Sequence, residues 1–283
     1  MTPLIQSLRA LATRQVPRAV RKRMRAGVDT LLARDRPGRA LEVHDDDSFI
    51  VSYPKSGNTW VRFLVANLIH AEPTDFESME TRVPTIYKHT SRELAGFDRP
   101  RVLKSHEYFD PRYPRVVYVV RDPRDVIVSY YHYSLRKGFI GEGHSLEEFG
   151  REFVHGRSNK FGTWQENVAS WLAARADSPA FLLVRYEDLR SKCAHELSRI
   201  ARLLGRTTDD ATIARAVEAS SFERMRALEA KSGGATLHLK HKRADVPFVR
   251  KGTVGGWKQE LPDSVRASIE GTWAPLMKRL GYL

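Results

Sequence analysis

Phe49-Ile50-Val51-Ser52-Tyr53-Pro54-Lys55-Ser56-Gly57-Asn58-Thr59-Trp60 is the stretch on which the fold turns. Residues 49–53 are a short, apolar, β-prone run, and over residues 60–70 Val61, Leu64, Val65 and Leu68 fall on one helical face. A strand therefore feeds a turn, and the turn a helix. In an open α/β sheet ligands bind beyond the carboxyl ends of the strands, so residues 53–60 are the first candidate site. Gly57 lets the backbone curl, consecutive N–H groups at the helix start face outward, and Lys55, Ser56 and Thr59 add a charge and two hydroxyls. These are the parts of a cradle for a phosphate-like anion. The nucleoside-triphosphate loop GxxxxGK[ST] is absent, since here the lysine precedes the glycine. Taken alone, the turn also reads as an ordinary strand-to-helix connection capped by Ser and Thr.

Outward from this turn the same grammar recurs, at residues 101–104, at residues 116–120 with a helix from Pro123, and at residues 181–184 with a helix over 188–204. The runs VVYVV and FLLV are apolar on both faces, as buried parallel strands are. The fold class is α/β: a central parallel β-sheet flanked by helices. The chain has 283 residues, 41% of them hydrophobic, enough for one large core, and residues 41–283 are expected to form a single domain. Charged residues interrupt every apolar run before the roughly 18 residues of a membrane span. A single cysteine, Cys193, excludes an internal disulfide framework and fits a reducing compartment, so the cytoplasm is the expected location.

The net charge of +13 is concentrated at the start, where residues 1–39 hold ten Arg or Lys against two Asp. Residues 1–40 read as a basic amphipathic segment, interrupted at Pro17, that is solvated or packs on the domain, docks peripherally on an anionic membrane surface through residues 1–34, or serves as a cleaved organelle-targeting segment. Asp45-Asp46-Asp47 reads as a solvated turn ahead of the first strand. The remaining positive charge serves a polyanionic small molecule as easily as nucleic acid; because the basic and aromatic residues cluster in separate motifs instead of along one surface, no nucleic-acid partner is expected.

The phosphate-binding turn does not stand alone. Tyr53-Pro54-Lys55-Ser56-Gly57-x-Thr59-Trp60 resembles the 5′-phosphosulfate loop of cytosolic-type sulfotransferases, which use 3′-phosphoadenosine 5′-phosphosulfate (PAPS) as donor. Val102-Leu103-Lys104-Ser105-His106 resembles that family's catalytic-histidine strand end, and residues 121–131, RDPRDVIVSYY, resemble its 3′-phosphate motif. Residues 145–171, Tyr186-Glu187-Asp188-Leu189, Ser220-Ser221-Phe222 and residues 250–258, RKGTVGGWK, continue the match in order, over roughly residues 46–283.

The resemblance implies a P-loop-nucleotide-kinase-like sulfotransferase fold and transfer of a sulfuryl group from PAPS to an acceptor hydroxyl or amine, with 3′-phosphoadenosine 5′-phosphate (PAP) as product and no metal. It implies that Lys55 stabilises charge on the bridging oxygen and that Ser56, Gly57, Asn58 and Thr59 hold the 5′-phosphate. His106 takes the acceptor proton, with Lys104 adding charge nearby. Arg121, Ser129, Arg250, Lys251 and Gly252 receive the 3′-phosphate, Ser129 also restraining Lys55. Trp60, Tyr186, Ser220 and Phe222 line the adenine pocket.

Two departures limit the match: Gly256 stands where the family usually has Asp, and the Lys-x-x-x-Thr-Val-x-x-x-Glu dimer signature is absent after Trp257. Residues 228–246, with His238, Lys240, His241, Lys242 and Arg243, read as a polar, basic loop near the acceptor entrance. The alternatives are an ATP-dependent small-molecule kinase of related fold and a non-catalytic nucleic-acid-binding protein. The first requires Mg²⁺ and ATP, the second steeply salt-dependent binding without turnover.

Overall fold

The computed structural model describes residues 41–231 and 246–283. The basic segment 1–40 and the histidines and cations of residues 238–243 lie outside the described residues. Residues 228–231, expected to open a polar loop, instead close the helix Phe222–Lys231. The described residues fall into two compact units, one formed by Val43–Ile86 with Phe97–Leu283, the other by Tyr87–Gly96 with residues 41–42. The small unit contains one short helix, Ser91–Ala95, closed by a capping box in which Glu93 Oε2 accepts from the Thr90 N–H at 2.7 Å.

The large unit is built on four parallel strands, β1 (Ser48–Ser52), β2 (Val102–Ser105), β3 (Arg115–Val120) and β4 (Phe181–Arg185), in the order β2-β1-β3-β4. Val51 lies opposite Ser105 on one side and Tyr118 on the other, so the three strands are in close register. The helices used below are α1 (Asn58–Ile69), α2 (Pro123–Lys137), α3 (Leu146–Val154), α4 (Trp164–Arg175), α5 (Cys193–Leu203), α6 (Asp210–Ala219), α7 (Phe222–Lys231) and α8 (Asp263–Arg279).

Strand alternation sends Ile50, Val117 and Val119 to one face of the sheet, where they meet Val61, Leu64, Val65 and Leu68 of α1, Leu197 and Ile200 of α5, and Ile213 of α6. The opposite face is aromatic. Phe49 stacks on Tyr113 at 3.6 Å, and Trp171 of α4 packs on Tyr118 and Phe181. Beyond it, Phe153 of α3 and Trp164 of α4 pack on Trp273 of α8.

Three local expectations are corrected. Among the described residues β4 is an edge strand, and Phe181, Leu182 and Leu183 are only half-buried. The helix expected over 188–204 breaks at Lys192, whose backbone leaves helical geometry between the short helix Tyr186–Ser191 and α5. Asp47 is not solvated: it is 0% exposed and receives Arg101 Nε at 2.8 Å and Nη2 at 2.5 Å. Removing one partner of such a buried pair costs about 3–5 kcal/mol.

What the sheet does for the site follows from its parallel direction. All four strands end on one edge, and the residue after each delivers a motif: the turn from Tyr53 after β1, His106 after β2, Arg121 after β3 and Tyr186 after β4. This is the edge at which open parallel sheets collect their ligands.

Candidate active site

The turn after β1 is held in two left-handed backbone positions, Lys55 at φ 71° and Gly57 at φ 100°. For a side-chain-bearing residue such as Lys55 that conformation costs about 1–2 kcal/mol, so the surroundings must enforce it. Gly57 is required on two counts, for its φ and because a Cβ there would lie 2.6 Å from Cδ2 of Tyr186. As N-cap it gives no side-chain bond to α1, and no acidic residue occupies the first turn. The orphan N–H groups of the helix start and its partial positive charge therefore stay directed at an anion. Buried Ser56 Oγ and Asn58 Oδ1 have no hydrogen-bond partner among the described residues, as expected of a cradle built around something else. The Asn58 Nδ2 group donates to the Ile50 carbonyl and Ser52 Oγ, both at 3.2 Å, so this side chain braces the turn against β1.

The Lys55 ammonium lies 4.4 Å from the ring centroids of both Tyr133 and Phe248. Burial, with the charges of Arg121 and Arg136, pulls its pKa down to about 7. Ser129, the residue implied to restrain it, is half-buried on α2 one turn before Tyr133, and among the described residues it shares no hydrogen bond with Lys55. The aromatic pair holds the lysine in its place.

His106 is half-buried, with Nδ1 at 2.7 Å from the Ser52 carbonyl and 3.4 Å from Ser52 Oγ. A carbonyl only accepts, so Nδ1 carries the hydrogen and the neutral ring has its lone pair on Nε2. Burial, then the nearby charge of Lys104, holds the pKa well below the usual histidine value, so the ring is neutral near pH 7. The Phe161 ring meets it edge-on at 5.4 Å, and Asn167 Nδ2 donates to the His106 carbonyl at 3.1 Å. A neutral imidazole fixed in one tautomer can accept a proton.

A second positive cluster forms after β3. Arg121 is 9% exposed; its Nη2 donates to the Thr253 carbonyl at 2.9 Å, its guanidinium lies 4.2 Å from the Tyr186 centroid, and its Nε is buried without a partner among the described residues. Tyr186 Oη donates to the Gly252 carbonyl at 3.0 Å, which joins this strand end to the loop carrying Arg250 and Lys251. Those two cations converge on Glu260: Arg250 Nη1 lies 2.9 Å and Lys251 Nζ 2.6 Å from its Oε1. Burial pushes the Glu260 carboxyl up, but bonds from Lys251, His132 and Arg250 prevail and hold it at about 2.

Between the two clusters stand the aromatic residues. The Trp60 and Tyr186 rings meet at 5.7 Å, and Trp60 Nε1 donates to the Ser220 carbonyl at 2.9 Å. Gly252, at φ 62°, packs so closely on Phe222 that a Cβ would sit 3.0 Å from its ring. The Ser220 hydroxyl accepts from Asn67 Nδ2 at 2.9 Å and keeps its own O–H to donate.

The turn at residues 53–60, His106, Arg121 and Tyr186 thus lie along one sheet edge, with Gly252 and Phe222 against them, and four further residues adjoin these. Asp125 accepts from the N–H groups of Gly255 and Trp257, Glu260 gathers the clamp cations, and Tyr133 and Phe248 flank Lys55. Only Asp125 carried a local signal, its i,i+4 spacing from Arg121.

Comparison with known proteins agrees with this arrangement. Residues 45–281 match the sulfotransferase domain family. Sulfotransferase 1E1 of Bos taurus is 28% identical over 255 residues, covering 84% of this chain and 85% of its own length. Sulfotransferase 2B1 of Homo sapiens is 33% identical over 236 residues, 78% of this chain and 63% of that relative. Among solved structures, retinol dehydratase in complex with androsterone and the inactive cofactor PAP superposes with a TM-score of 0.71 at 22% identity, covering 84% of this chain and 82% of the other. The parallel sheet with its edge of motif residues, and a family match over most of its length, establish that this chain belongs to the sulfotransferase domain family.

Proposed function

We propose that the protein transfers a sulfuryl group from PAPS to an acceptor hydroxyl or amine. The observation that carries this reading is the pairing of two anion sites across one aromatic pocket: the turn at Lys55–Thr59 on one side, Arg121 with the 250–252 loop on the other. A nucleotide with phosphates at both its 5′ and 3′ positions offers an anion to each site, and a singly phosphorylated one leaves one of them unused. The bisphosphate PAP, named with the retinol dehydratase structure, has that chemistry.

In this reading the acceptor oxygen attacks sulfur while the bond from sulfur to the bridging oxygen breaks. The acceptor proton passes to His106 Nε2, and PAP leaves with the bond's electrons. Lys55, once protonated, acts where charge grows on the leaving oxygen, and Lys104 adds positive potential. Ser56 to Thr59 receive the 5′-phosphate; Arg121, Ser129, Arg250, Lys251 and Gly252 receive the 3′-phosphate; Trp60, Tyr186, Ser220 and Phe222 bound the base. The acceptor class that best suits a neutral, half-buried imidazole beside Phe161 is an apolar molecule bearing a hydroxyl. One cysteine and charge-interrupted apolar runs suit a reducing, aqueous setting, and we assign the activity to the cytoplasm.

The test is calorimetric titration of the full chain with PAP, AMP and ATP. Preference for PAP over both of at least ~10-fold, weakened by Arg121→Ala, supports the reading. Equal binding of ATP, or no binding of PAP, overturns it.

A further inference from the structure

The short helix Trp257–Glu260 ends in a carboxylate that the expected donor contacts do not use. Three cationic or ionisable groups meet it from two parts of the chain. Arg250 Nη1 approaches both oxygens, at 2.9 and 3.2 Å, Lys251 Nζ lies 2.6 Å from Oε1, and His132 Nε2 on α2 lies 2.8 Å from Oε2. The arrangement is held from behind. Asp125 accepts from the N–H groups of Gly255 at 2.8 Å and Trp257 at 3.0 Å, which folds the loop back so that Glu260 faces the residues at its start. Arg121, by contrast, bonds the Thr253 carbonyl and stands 3.8 Å from Asp125, without reaching Glu260.

A carboxylate held by one guanidinium nitrogen and an ammonium uses the donors that these groups also offer to phosphate. Arg250 and Lys251 are the cations assigned above to the 3′-phosphate, and both are engaged by an internal anion. A phosphate dianion brought to them either repels Glu260 or displaces it. Displacement needs a strong anion at the 3′ position, and its cost weakens the binding of the nucleotide that carries one.

We propose that Glu260 is a built-in counter-anion of the 3′-phosphate site, occupying Arg250 and Lys251, with His132 bonded alongside, until the donor's 3′-phosphate takes the two cations over. The exchange makes Glu260 a residue that tunes affinity at the 3′ position and the release of product. It lowers affinity for the bisphosphate product, whose departure it assists by returning to the cations, and it leaves affinity for nucleotides without a 3′-phosphate unaffected. Glutamine at this position keeps an oxygen for Arg250 while removing the charge. The inference rests on the assignment of Arg250 and Lys251 to the donor.

The experiment compares wild type, Glu260→Gln and Glu260→Ala, with PAP and AMP as titrants and stopped-flow displacement to read PAP release. The expected result is PAP binding tightened about three- to tenfold in Glu260→Gln, with slower release and AMP binding unchanged. Unchanged or weakened PAP binding in a Glu260→Gln protein that melts like wild type overturns the inference, and so does an equal change for PAP and AMP. If Glu260→Gln does not fold, Glu260→Ala is read by the same criteria. Wild type that binds PAP no better than AMP overturns the donor reading itself, a different outcome from PAP preference that Glu260 does not influence.

Discussion

The Nδ1 atom of His106 lies 2.7 Å from the carbonyl oxygen of Ser52, the last residue of the neighbouring strand. The bond ties the ends of β1 and β2 together, orients the imidazole and leaves the basic lone pair on Nε2. Replacing His106 by Ala removes the base without touching either anion site. We expect kcat to fall by about 10²–10⁴-fold while the PAP dissociation constant stays within about twofold. Steady-state kinetics beside calorimetry separates the two quantities, and an equal loss in both would mean that the histidine holds the site together instead.

Lys55 and His106 titrate in opposite senses. His106 works unprotonated, and burial beside Lys104 keeps it so down to well below the usual histidine range. Lys55 works protonated, and its pKa of about 7 means that raising the pH removes the ammonium. The ratio kcat/KM for donor reports the free enzyme, so it is expected to lack a limb near pH 6.5 and to fall on the alkaline side from about pH 7. In kcat the alkaline limb moves upward, because a bound phosphosulfate stabilises the ammonium. Lys55→Arg, which stays charged, is expected to abolish the alkaline limb of kcat/KM. A limb that persists in this variant assigns it to another group.

The parts legible in the sequence were those set by local chemistry. Residues 49–60 gave strand, turn and helix because apolar periodicity, Gly57 and the oxygen-bearing residues all act within a few positions, and the RDPRDV run gave α2 because Asp122 caps it and Pro123 fits its first turn. What pattern did not supply was the long-range partner. Asp47 resembled a solvated acid because its guanidinium, Arg101, is far away in sequence and adjacent only once β2 pairs with β1. The aromatic seat of Lys55 joins α2 to residue 248 across most of the chain, and no spacing rule reaches that far. The bond from Asn67 to the Ser220 hydroxyl is likewise beyond any local pattern, for the two residues meet only when α1 packs beside the end of α6.

Gly57→Ala tests the turn with the smallest possible change. The added methyl carbon would lie 2.6 Å from the Tyr186 ring, and the backbone would keep a side-chain-bearing residue at φ 100°. The ring must move or the turn must open. We expect a stability loss of about 1–3 kcal/mol and PAP affinity reduced at least tenfold, since the 5′ cradle and the adenine wall share this contact. Thermal melts and titration check it; a variant that keeps wild-type affinity would show that the close approach of Gly57 to Tyr186 is dispensable.

Asp125 connects Arg121 with the 250–258 loop, the two parts of the proposed 3′ site. Its Oδ2 accepts from Gly255, its Oδ1 from Trp257, and Arg121 stands 3.8 Å away, so one carboxylate holds the loop and the guanidinium in one frame. Asp125→Asn keeps the shape but offers one acceptor oxygen for two N–H groups, and leaving a buried donor unpaired costs about 1–3 kcal/mol. The frame should loosen while the fold persists. We therefore expect faster amide exchange at Gly255 or Trp257, PAP affinity lowered about tenfold, and AMP affinity nearly unchanged, because the 5′ cradle after β1 shares no bond with Asp125. Loss of AMP binding to the same degree would mean that Asp125 supports the whole sheet edge, and the two anion sites would then have to be treated as one cooperative structure.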